Sequence, residues 1–171
     1  GAAIIGQEKI LDGFFKIPPA FHMATHEYNV DVIRRQDPGA LDRMPSEEEY
    51  LVAKPDIIFT DELTFRLGDH TFRCVHTPGH SPEQTSVHVP EERCVFVGDN
   101  IFNDCQIWLH SVDFDDLFHS LDWLQGLDVD YIVPGHGPVR GKECIVENKQ
   151  FLYAWLDAVG EGIVKGWSRE E

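Results

Sequence analysis

Tyr131-Ile132-Val133-Pro134-Gly135-His136-Gly137 is an apolar run that passes through glycine into histidine. The same device occurs twice upstream, in Cys74-Val75-His76-Thr77-Pro78-Gly79-His80 and in Val95-Phe96-Val97-Gly98-Asp99. Glycine admits a sharp turn and a close backbone approach, so the next side chain can be aimed into a crevice at a sheet edge. That edge is where open sheets bind ligands. His80, Asp99 and His136 are therefore candidate metal ligands, because imidazole nitrogen with carboxylate oxygen suits zinc, and also iron or manganese. A single histidine or aspartate at a strand end also serves as a turn or cap residue. Spacing alone leaves both readings open.

Around these runs the apolar period sets the elements. Leu63, Phe65 and Leu67 alternate with polar residues up to Gly68-Asp69, and His70 to Val75 follows, which predicts a hairpin on a two-residue turn. A second hairpin is predicted from Thr85 to Val89 and Arg93 to Val97, across Pro90-Glu91-Glu92. Beyond it the period changes. Phe114, Leu117, Phe118, Leu121 and Leu124 fall at helical spacing, as do Ile145, Leu152, Leu156, Val159 and Ile163, with a strand over Val129 to Val133 between the two helices. The aromatics Phe151 and Trp155 read as part of an ordinary buried helix face.

Towards the start, Ala2-Ala3-Ile4-Ile5 reads as a buried strand ending at Gly6, with a helical start from Gln7 to Leu11. Gly13 to Arg43 is rich in Pro, His and Asp, shows no clean period and is predicted to be a long loop. Ser46 with Glu49 makes a capping-box pattern for a short helix that Pro55 stops. The class is mixed α and β, sheets covered by helices, in a single domain over residues 1–171.

The balance of 14 Lys and Arg against 30 Asp and Glu gives a net charge of −16. A body this acidic repels the nucleic-acid backbone, and no local basic patch offsets it, so nucleic acid is not expected as a partner. No window approaches the roughly 18 consecutive apolar residues of a membrane helix. Cys74, Cys94, Cys105 and Cys144 form no Cys-x-x-Cys pair and sit mostly in apolar runs. They read as reduced core residues in a cytoplasmic setting.

Thr77-Pro78-Gly79-His80-Ser81-Pro82, Val97-Gly98-Asp99-Asn100 and Val133-Pro134-Gly135-His136-Gly137-Pro138 together resemble the last three motifs of the metallo-β-lactamase superfamily, in order and over residues 58–140. The resemblance implies an α/β (α+β) fold, the four-layered αββα sandwich with two metal ions, usually zinc, between its sheets. This chain would hold mainly the C-terminal portion, an incomplete version of that fold. By the same resemblance His80 is a ligand of the first metal, Asp99 the carboxylate that bridges both, and His136 a ligand of the second. The implied chemistry is hydrolysis by a metal-bound hydroxide, with the metals lowering the water's pKa and polarising the bond under attack. Asp99 stands where superfamily members that hydrolyse β-lactams typically have cysteine or serine. The resemblance thus points to an ester, thioester or lactone, as in hydroxyacylglutathione hydrolases and lactonases. RNA-processing members share the aspartate but usually bring a further nuclease domain, and neither feature suits 171 residues at −16.

The superfamily's upstream signature, His-x-His-x-Asp-His, is absent: no two of the nine histidines are separated by a single residue. His22 and His26 match it in neither spacing nor position and read as loop histidines. The likeness of Ala3-Ile4-Ile5-Gly6 to the strand that follows this signature predicts an N-terminally truncated chain. A zinc ion needs about four ligands, so three residues shared between two metals predict weak or absent metal binding by this chain alone. His76, four before His80 but separated from it by Pro78-Gly79, is predicted to be structural, whereas His110, following Ile107-Trp108-Leu109, is a candidate substrate contact. A homodimer that covers exposed sheet surface is the alternative expectation, in a module without catalysis.

Overall fold

The structure, a computed structural model, describes residues 2–13, 19–44 and 54–167. The chain divides into two compact units, Gly1–Phe59 and Thr60–Glu171. The capping-box pattern at Ser46 and Glu49 lies outside the described residues.

In the first unit, strand β1 (Ile5–Gln7) pairs in parallel with β2 (Ile57–Phe59), Ile5 opposite Ile57. The strand therefore begins later than the apolar run suggested. Ala2 to Ile4 are exposed, and the Ile4 amide donates to the Asp56 carboxylate at 2.9 Å. The expected helical start is a short 3-10 turn, Glu8–Leu11.

The predicted loop over 13–43 is largely a helix instead, α1 (Pro19–Gln36), followed by a 3-10 turn at Pro38–Arg43. Pro19 sits at the first helical position, where its missing N–H costs nothing. Ala20, Met23, Ala24 and Glu27 are good helix formers, and Pro38 turns the chain away just past the end. Periodicity reports an apolar stripe, and the apolar residues of this helix gather into none. His22 and His26 both fall on α1.

The second unit is a five-stranded sheet in the order β3-β4-β5-β6-β7. β3 (Glu62–Leu67) and β4 (His70–His76) form the first predicted hairpin, and β5 (Thr85–Val89) and β6 (Cys94–Phe102) the second. All three of these pairings are antiparallel, while β7 (Tyr131–His136) lies parallel to β6. A parallel neighbour needs a crossover, and α2 (Phe114–Gly126) supplies it, capped by Asp113, whose carboxylate accepts from the Asp116 amide. α3 (Glu143–Lys165) follows β7. Arg93 fastens the start of the parallel pair, forking onto Asp128 and Asp130 with four N–O contacts of 2.7–3.0 Å.

Val95, Val97, Ile101 and Ile132 of the sheet join Leu117, Leu121 and Leu124 of α2 and Cys144, Ile145 and Leu152 of α3 in one core. Side chains alternate along a strand, so the opposite face carries the intervening residues. One register row across that face reads Leu63, Cys74, Val87, Phe96, Val133, apolar in every strand. α2 and α3 cover the first face, and on the second Phe96 is 46% exposed among the described residues. No described helix is long and apolar enough to cross a membrane.

Two expectations about burial need correction. α3 exists as predicted, but Phe151, Trp155 and Val159 are 37–48% exposed and Ile163 is 75% exposed, whereas Leu152 of the same helix is in the core. Trp155 stacks on Phe114 rather than entering the core. Of the four free cysteines, Cys74 and Cys144 are buried, but Cys105 is exposed, on the loop after β6.

His88 on β5 is buried with neither ring nitrogen hydrogen-bonded. Burial lowers its pKa, its register partner Arg73 lowers it further, and Glu91 opposes the shift. Unfolded His88 takes up a proton near the ordinary value of about 6.5, whereas the folded form resists. Its contribution to stability is therefore present above about pH 6.5 and is lost as the pH falls through the folded value. His88→Leu is expected to flatten that acid-side loss relative to the parent and, by removing unpaired buried polar atoms, to gain about 1 kcal/mol near neutrality. Urea unfolding of both proteins at about pH 5 and about pH 7.5 reads the difference.

Candidate metal and active site

The three motif residues converge, His80 from the loop after β4, Asp99 from within β6 and His136 from the end of β7. Asp99 Oδ2 lies 3.6 Å from His80 Nε2 and 3.7 Å from His136 Nε2. These are too long for hydrogen bonds. Two donors on one tetrahedral zinc, each about 2.0–2.1 Å from it, stand roughly 3.3 Å apart, so both pairs have close to the spacing of co-ligands, with the carboxylate oxygen common to both. The donor chemistry fits zinc on each side of Asp99. The set is short, however: among the described residues no group of three or more His, Cys, Asp or Glu side chains closes around a single ion.

Each donor is placed by its strand. Asp99 lies within β6, just past Gly98 and a break in the regular β6–β7 register. Its carboxylate approaches β7 so closely that a Cβ on Gly135 would fall 1.9 Å from Asp99 Oδ1. His136 is the last residue of β7, and its side chain is 57% exposed. His80 stands four residues beyond β4 on a loop held from two sides. From β6, Asn100 accepts from the His80 amide at 3.1 Å and donates to the Thr77 carbonyl at 2.7 Å. From α2, Ser120 Oγ donates to the Pro78 carbonyl at 2.6 Å, and the Asp113 amide donates to the Gly79 carbonyl at 2.9 Å. Buried His80 Nδ1 has no hydrogen-bond partner, whereas a ligating histidine ordinarily uses its second nitrogen to fix its tautomer.

Sequence reasoning missed Asn100 and Phe102. Asn100 is 3% exposed, and its signal was its place directly after Asp99. Phe102 stacks on His136, with centroids 4.9 Å apart, and sits 5.9 Å from His80. Its amide donates to Asn148 of α3. One stretch of β6 thus supplies Asp99, fixes the His80 loop and floors both imidazoles. Asn100→Ala leaves a buried amide and a carbonyl unpaired and is expected to cost about 2–3 kcal/mol. Asn100→Asp keeps the acceptor for His80 but sets a buried carboxylate against the Thr77 carbonyl and should cost at least as much; thermal unfolding of the two variants compares them.

The residues open onto a cavity of about 480 Å³ lined by His80, Asp99, Phe102, Cys105, Gln106, Trp108 and His136, with no lysine or arginine among the described residues. Trp108 lines it, rather than the expected His110, which stacks against Trp108. His76 Nε2 donates to the Pro82 carbonyl, 2.7 Å away.

Comparison with known proteins gives this mixed α and β scaffold a family. The model of the metallo-beta-lactamase superfamily matches residues 16–136, more than half of the chain. The chain belongs to that superfamily. A hydroxyacylglutathione hydrolase from Francisella tularensis subsp. novicida is 35% identical over 79 residues, covering 45% of this chain and 31% of that one. A beta-lactamase-like protein 2 homolog from Caenorhabditis elegans is 36% identical over 72 residues, covering 42% and 24%. The chain thus spans about a quarter to a third of the length of these curated relatives. Among solved structures, a metallo-beta-lactamase family protein from Thermus thermophilus shares the fold with a TM-score of 0.65 at 19% identity, over 92% of this chain and 55% of that one. A metallo-beta-lactamase from Pontibacter korlensis reaches 0.50 at 21% identity, over 55% and 46%.

Proposed function

We propose that this chain carries the downstream half of the active site of a metal-dependent hydrolase acting on an ester, thioester or lactone. The observation that carries the reading is the single Asp99 oxygen flanked at near-equal distance by two imidazole nitrogens. His80 and Asp99 would hold one zinc and Asp99 and His136 the other, with iron or manganese as alternatives. The remaining donors come from residues other than those described. Bound there, the metals supply Lewis acidity and an activated water.

The chain's own residues do the rest. Asn100, Ser120 and the α2 terminus hold the His80 loop, Phe102 stacks on the His136 ring, and Trp108 lines the cavity where a substrate would lie. The substrate class follows the hydroxyacylglutathione hydrolase relative, whose name denotes a thioester hydrolase, and the aspartate at position 99. Neutral thioesters, esters and lactones offered to the protein expressed from its full coding sequence should turn over with added zinc and stop with chelator. Absence of turnover of any of them would overturn the reading.

A second reading, self-association of a module without catalysis, is favoured by Ile163, Val164 and Trp167, 51–88% exposed near the end of α3. Sedimentation of the chain distinguishes it: a metal-free dimer supports it and a monomer does not.

A further inference from the structure

We propose that a second cavity beside the first is the subsite for a neutral, apolar arm of the substrate. This rests on the hydrolase reading, which places the scissile bond among His80, Asp99 and His136. The second cavity measures about 480 Å³ and lies between the end of β6 and α3, with Phe102, Ile107 and Phe151 as apolar walls. It shares Phe102, Cys105 and Gln106 with the site cavity, so the two adjoin along one wall. Its volume is that of a small-molecule pocket rather than a packing gap. Phe151 is 48% exposed on a helix whose next residue, Leu152, is 1% exposed, and an occupant of the cavity would cover it.

Charge sets the kind of arm. Arg140, the one cation among the described lining residues, is already held by both oxygens of Glu147, at 2.7 and 3.0 Å, with Asp104 at 3.9 Å. A guanidinium so engaged has little left for a carboxylate or phosphate. Asp104 and Glu147 leave the wall net negative. An acyl or alkyl chain without an anionic end therefore fits, and a charged one does not.

Cys105, exposed and in the shared wall, allows a test that does not depend on turnover. N-methyl, N-butyl and N-octyl maleimide are reacted with the full chain. The thiol sulfur bonds to one alkene carbon, its proton goes to the other, and the C=C bond becomes single. Peptide mass mapping reads the rate at Cys105, normalised to a free thiol. Each buried methylene favours binding by up to about fourfold, so the octyl reagent should label at least about tenfold faster than the methyl one. A maleimide of the same length ending in a carboxylate should lose that acceleration, as should Phe151→Glu, a change at a half-exposed helical position checked for an unchanged melting temperature. Equal rates across chain length, or an acceleration untouched by Phe151→Glu, would overturn the subsite and leave the hydrolase reading standing. A steep profile in a protein whose full coding product hydrolyses nothing supports the cavity's preference and removes the hydrolase reading.

Discussion

Gly137→Ala is expected to lower stability by about 3 kcal/mol or more, the largest loss of any single methyl addition near the site. Gly137 has φ +91, and a Cβ built on it falls 1.7 Å from the Asn103 carbonyl oxygen and 2.6 Å from its carbon. These are backbone atoms and cannot swing aside. Asn103 is itself tied down, its amide donating to the His136 carbonyl at 3.0 Å and its side chain to the Pro138 carbonyl at 2.9 Å. An alanine must therefore push the end of β6 away from β7. Overpacking costs about 1–3 kcal/mol, and the unfavourable backbone conformation about 1–3 more. Gly126→Ala is the control: nothing lies within 4 Å of the added methyl at the end of α2, and helix propensity favours it by up to about 1 kcal/mol. Urea midpoints for the two variants should differ widely. Equal midpoints would mean that the close strand approach is absent.

Asp99→Ala is expected to have the largest effect on function. The change removes the oxygen common to both histidines while leaving the imidazoles on their strands. Loss of a group that merely supports a ligand weakens metal binding by about 10–100-fold, and loss of a ligand to two ions should exceed that and abolish zinc-dependent turnover. Competition with a chelating dye, on the product of the full coding sequence, measures the affinity. His76→Ala, four residues before His80, should leave it unchanged, because His76 spends its Nε2 on the Pro82 carbonyl. An Asp99→Ala protein that binds zinc as tightly as its parent would remove the bridging role.

The two hairpins, α2, the last strand and the three convergent residues were legible in the sequence because each rests on a local signal: alternation, helical period, or glycine before a polar residue. α1 was not, because a helix without an apolar stripe leaves no period to read. β2 was missed because three residues in parallel pairing with β1, fifty residues away, carry no local mark. In the site, the three convergent side chains were visible but their supports were not. Asn100 and Phe102 are ordinary strand residues until folding brings Thr77, His80 and His136 against them. Cys105 and Phe151 looked like core residues by type, but Cys105 falls on the loop after β6 and Phe151 on a face of α3 other than the one Leu152 buries.

Zinc titration of the 171-residue chain bears most directly on the central claim, that His80, Asp99 and His136 are the shared part of an incomplete two-metal centre. Weak binding is expected, with no stoichiometric zinc surviving dialysis, and the residual binding lost in Asp99→Ala. Tight, stoichiometric zinc on this chain by elemental analysis would contradict it.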